Sequence, residues 1–96
     1  MEKEKQFLNK VLNRILSEIR MDNKENKIHF PFFSMDIDHL VIVFMGHRTG
    51  RVIEPQILFR PFVNHCRNVY GLKDEEINFL WTIFKNIVRD KLGIRY

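Results

Sequence analysis

The chain has 96 residues, 45% of them hydrophobic, including nine phenylalanines. It carries a net charge of +4 and has an isoelectric point near 9.5. That length suits one domain and leaves no room for a second, and the single cysteine, Cys66, excludes an internal disulfide framework.

A domain this small buries a modest fraction of its surface, which favours self-association or a bound partner. The start MEKEKQ is charged and lacks the apolar segment of a secretory signal. The longest apolar run, LVIVFM, is far too short to span a bilayer. A cytoplasmic protein without membrane contact is the expectation.

Residues 6–20 predict an amphipathic helix. Leu8, Val11, Leu12, Ile15, Leu16 and Ile19 recur at three- and four-residue spacing. Residues 1–5, like 94–96 at the other end, are expected to fray. Residues 21–27, MDNKENK, read as a polar loop. IHFPFF follows, and Pro31 inside it confines that segment to an edge strand or an extended stretch. The run HLVIVFM, residues 39–45, is β-branched and almost continuously apolar, and it predicts a buried strand. GHRTGR then forms a tip between that run and RVIEP. Two short β-prone runs around Gly46 and Gly50 predict a hairpin.

Leu58, Phe59, Phe62, Val63, Cys66, Val69 and Tyr70 follow helical spacing, interrupted by Pro61. A mid-helix proline removes a hydrogen bond and clashes with the preceding turn, so the favoured reading starts this helix at Pro61 and leaves QILFR extended. Gly71 stops it. The last helix runs from about Asp74 to Leu92, with acidic residues at its start, Arg89 and Lys91 near its end, and Gly93 beyond. The predicted order is α–(β)–β–β–α–α, an α+β domain with a hairpin packed against the long C-terminal helix.

That last helix bears on assembly. Ile77, Leu80, Trp81, Phe84, Ile87, Val88 and Leu92 fill one arc, and Phe79 and Ile83 widen it to roughly 220° at 100° per residue. A surface helix of a small domain needs an apolar face somewhat over about 100°. Either the helix is central, or Phe79 and Ile83 meet a second copy in a homodimer.

The helix pair around Gly71 invites a helix-turn-helix reading. Its second helix would enter the major groove by an end carrying Asp74, Glu75 and Glu76, against a line of phosphates. The α–β–β–β–α order is similar to that of double-stranded-RNA-binding domains. Their closing helix starts rich in lysine, however, and KDEE is the reverse in charge, so no residue is carried over.

Asp36, Asp38 and His39 offer two carboxylates and an imidazole. In an extended chain the carboxylates share a face, yet no further ligand is placed by spacing. His65 and Cys66 are neighbours on a helix and diverge by about 100°, so they form no dyad. Cys66 shares the apolar face and is expected to be buried. No metal or cofactor is implied.

The remaining candidate is the tip. His47, Arg48 and Arg51, with Arg60 and Arg67 nearby, form a basic group whose guanidinium forks suit anionic oxygens. These residues point to a non-enzymatic binding protein, a homo-oligomeric regulator or inhibitor acting through the basic hairpin on another protein. A dimeric DNA- or RNA-binding regulator is the alternative, and a small metal-dependent enzyme around Asp36 and Asp38 is the outside case.

Overall fold

The computed structural model describes the backbone of residues 2–48 and 56–94, and the side chains of 3–45 and 56–94. Among these, the order is α1 (Glu2–Ser17), β1 (Arg20–Asp22), β2 (Lys27–Phe30), β3 (Phe33–Asp36), α2 (Ile37–Arg48), α3 (Gln56–Tyr70) and α4 (Asp74–Lys91). The architecture is α+β, and a hairpin packs against the helices. The hairpin lies earlier in the chain than the sequence reading placed it.

The three strands form an antiparallel meander in the order β1-β2-β3. Asp22 and the NKEN turn make the first connection. The Asp22 Oδ1 accepts the N–H groups of Lys24 and Glu25 at 3.0 and 3.1 Å, the local bonding that favours aspartate in turns. The segment read as the polar loop 21–27 is therefore the end of β1, a turn and the start of β2. Pro31 and Phe32 make the second turn, between the paired Phe30 and Phe33. Proline here closes a hairpin and interrupts no ladder.

Strand alternation sorts the two faces. Ile28 and Phe30 are buried, and opposite them lie Met35 and Phe33. On the outer face Lys27 pairs with Asp36, and His29 with Ser34, whose Oγ lies 2.7 Å from the imidazole Nδ1. The inner face meets the C-terminal helix through phenylalanines. The rings of Phe30 and Phe84 are 5.9 Å apart, and those of Phe62 and Phe84 stack at 4.7 Å. Leu8, Val11, Leu12 and Ile15 of α1 complete the same core.

The run 39–45 is helical, and this is the main correction. Ile37, Leu40, Val41 and Phe44 stand at i, i+3, i+4 and i+7. Leu40 and Phe44 are buried, while Ile42 is 70% exposed. In a strand, Leu40, Ile42 and Phe44 would share one face. Three consecutive β-branched residues favour a strand only where a sheet surface receives them. Here β3 ends at Asp36, and Asp38 in the first turn complements the helix dipole. The expected hairpin over 39–53 thus loses its first arm. Gly46, His47 and Arg48 end α2, while Arg51 and the rest of the tip lie outside the described residues.

The second correction concerns Pro61, which sits inside α3, so QILFR is helical from Gln56 onward. The carbonyl deprived of its donor is that of Ile57, four residues earlier. Ile57 is exposed, so water reaches this end of the helix. Gly71 at φ +64° ends α3, and its N–H bonds the Arg67 carbonyl at 3.1 Å, an αL cap. The Glu76 carboxylate accepts the Lys73 N–H at 2.8 Å to open α4. At the far end, Gly93 and Ile94 bond Asp90 and Arg89 carbonyls in a Schellman closure.

Candidate functional site

α3 is anchored by its apolar side. Leu58, Phe62 and Cys66, at spacings of four, are its buried residues. Phe59, Val63 and Tyr70 also pack against the core, so the outward side spans somewhat less than half of the circumference. On that outer side Gln56, Arg60, Asn64, Arg67 and Asn68 are all exposed. At 100° per residue they fall within about 120° of one another, and the 1.5 Å rise spreads them over roughly 18 Å. The fifteen residues of α3 include no aspartate or glutamate. The face is thus a ridge mainly of guanidinium and amide groups able to donate, with the amide oxygens as the acceptors and the exposed Ile57 among them.

Two features bound the ridge. Along one flank runs an open groove of about 390 Å³, lined by Phe32, Arg60, Asn64, His65 and Asn68 among others. His65 is half-buried there, its ring 5.3 Å from that of Phe32 and 5.7 Å from that of Tyr70. Burial lowers its pKa from the ordinary imidazole value, against a smaller opposing pull from Glu18. At the C-terminal end, Arg67 Nη2 bonds Asp74 Oδ1 at 2.6 Å, with both side chains largely exposed. An ion pair so placed contributes about 0–1 kcal/mol and opens readily. Asp74, Glu75 and Glu76 make this end of the ridge acidic.

Of the residues singled out from sequence, Arg60 and Arg67 are brought together on this ridge. The side chains of His47 and Arg48, and all of Arg51, lie outside the described residues. Gln56, Asn64 and Asn68 were missed. Their signal is the four-residue spacing Gln56, Arg60, Asn64, Asn68, which becomes visible only when the helix is taken to start before Pro61.

The other candidates separate. Asp36 ends β3, whereas Asp38 and His39 belong to α2, so the alternation that put the two carboxylates on one face does not apply. Among the described residues no group of three histidine, cysteine or acidic side chains is placed to hold a metal ion. Cys66 is fully buried, and desolvation raises its thiol to about 11. A thiol held protonated in this way is inert as a nucleophile.

Phe79 and Ile83 are also divided. Phe79 is 53% exposed, beside an apolar groove of about 420 Å³ shared with Glu4, Lys5 and Leu8. Ile83 is half-buried against the core.

Among the described residues no helix is long and apolar enough to cross a membrane. No known protein family, curated protein or solved structure matches the chain.

Proposed function

We propose that the protein is a non-enzymatic binding module that recognises nucleic acid through the outer face of α3 and acts as a dimeric regulator. The observation that carries this reading is the acid-free ridge of Gln56, Arg60, Asn64, Arg67 and Asn68 on the outward side of α3. Arginine supplies the charge-assisted contacts to phosphate that dominate such affinity. In the sequence, His47, Arg48 and Arg51 come before α3, with Glu54 between them and Gln56. The free buried thiol of Cys66 supports a reducing, cytoplasmic setting.

The test is affinity against salt. Binding of a fluorescent mixed-sequence oligonucleotide should fall steeply between 50 and 200 mM salt. Arg60→Ala with Arg67→Ala should make the salt dependence shallower, because two cations leave the binding face. Circular dichroism should be unchanged. Salt-independent binding, or an unchanged slope in the double variant, would remove this reading.

A second reading is a homo-oligomeric regulator or inhibitor of a protein partner. It is favoured by exposed Ile42 and Met45 on α2 and by exposed Phe7 and Phe79, since exposed apolar groups of this size mark interaction surfaces. In that case the basic residues would meet an acidic patch on the partner, and nuclease treatment would leave the captured partner in place.

A further inference from the structure

We infer that the nucleic acid is duplex DNA, and that the N-terminal two thirds of α3 lies in its major groove with Gln56, Arg60 and Asn64 at the base edges. This inference rests on the nucleic-acid reading above and narrows it to one form of the polymer.

Three observations carry it. The first is shape. α3 is a continuous run of fifteen residues, with Pro61 inside it and the exposed residues Gln56 to Asn68 along its outward side, and an α-helix is about 10–12 Å across. The B-form major groove, about 12 Å wide, admits such a rod. The A-form RNA major groove is too deep and narrow for it.

The second is chemistry. Glutamine and asparagine present one donor and one acceptor side by side, the pattern that pairs with adenine, and arginine's fork matches guanine. These are the side-chain types that the exposed ridge holds at Gln56, Arg60 and Asn64. Recognition of single strands needs an open aromatic platform instead. The ridge of Gln56, Arg60, Asn64, Arg67 and Asn68 carries no aromatic side chain, and the neighbouring Phe32 is half-buried with one face stacked on Phe30 at 5.5 Å.

The third is polarity. Asp74, Glu75 and Glu76 stand just beyond the C-terminal end of α3, and Asp74 already holds Arg67. Phosphates would be repelled at that end. The N-terminal end carries the positive pole of the helix dipole, and α3 itself holds no aspartate or glutamate. Entry is therefore by Gln56, with Asn64 deep in the groove and Asn68 near the exit.

The experiment uses the full chain and four probes at one salt concentration: a 24-base-pair mixed-sequence DNA duplex, each of its single strands, and the RNA duplex of the same sequence. A random-duplex selection then follows, with the wild type and with Gln56→Ala, Asn64→Ala and the charge-preserving Arg60→Lys. The DNA duplex should bind at least about tenfold more tightly than the other probes, and selection should enrich a defined sequence. Each variant should lose on the order of tenfold in preference for that sequence, with an unchanged salt slope for Gln56→Ala and Asn64→Ala. These are exposed side chains, so circular dichroism should match the wild type. Equal or tighter binding of RNA duplex or single strands overturns the groove assignment and leaves the nucleic-acid reading standing. An enriched sequence that all three variants still prefer overturns the assignment to α3. Binding to none of the probes overturns both.

Discussion

At the scale of single residues, two side chains report on the packing of α3. Cys66 has no exposed surface, and burial pushes its thiol up to about 11. Thiol labelling at neutral pH should therefore be slow in the native protein and fast in denaturant. Rapid stoichiometric labelling would mean that α3 is rotated from the position described. His65 tests the same packing from the flank. Its folded-state pKa is lowered by burial, so the unfolded chain binds the proton more tightly. The contribution to stability is present above the unfolded value near 6.5 and is lost as pH falls through the lower folded value. Urea midpoints measured from pH 7.5 down to 5 should fall in the wild type and fall less in His65→Gln. Parallel profiles would show that the imidazole is as well solvated folded as unfolded. At this scale the site was half legible in the sequence. Arg60 and Arg67 stood out because charge is conspicuous. Gln56, Asn64 and Asn68 did not, because uncharged amides resemble any solvated face until the helix that aligns them is known.

At the scale of elements, α2 is where local preference and tertiary context part. Val41, Ile42 and Val43 favour a strand, yet burial of Leu40 and Phe44 on one side selects a helix. The two forms predict different mutational patterns. In a helix, Leu40→Ala and Phe44→Ala should lower stability by about 2–5 and 3–5 kcal/mol. Ile42→Ala, at a position 70% exposed, should stay within about 0.5 kcal/mol. In a strand all three would be costly, since alternate residues share a face. Denaturation midpoints of the three variants decide it. The other elements show why some were legible and some were not. α1 and α4 have apolar residues recurring over four or more turns, and α4 has acidic residues at its start and glycine beyond its end. The strands have three or four residues each, too few for alternation to stand out, and two of their boundaries fall at polar turn residues. Pro31 and Pro61 misled in opposite senses. One makes a turn where an edge strand was expected, and the other is carried within a helix because Ile57 leaves the unpaired carbonyl open to water.

At the scale of the molecule, the proposed dimer would link the apolar surface to the α3 ridge. The protomer measures 37 × 31 × 20 Å. For a two-fold dimer to set both α3 helices on one side of a duplex, they would have to stand about 34–36 Å apart, the spacing of successive major-groove faces. The seam we favour is the groove between α1 and α4, where Phe79 is 53% and Phe7 46% exposed beside Leu8. Burying a phenylalanine contributes about 1.5–3 kcal/mol, and a two-fold interface counts the residue twice. With Phe79 already about half buried in the protomer, Phe79→Asp should weaken dimerisation by at least about tenfold. Sedimentation across micromolar concentrations should give twice 11.7 kDa for the wild type and 11.7 kDa for the variant. The variant should keep its fold, since the side chain it replaces is half in water. It should also keep its affinity for a single half-site while losing the tighter binding to two half-sites one turn apart. A wild type that sediments as a monomer throughout that range would remove the dimer. A dimer indifferent to Phe79→Asp would move the seam to the exposed Ile42 and Met45 of α2.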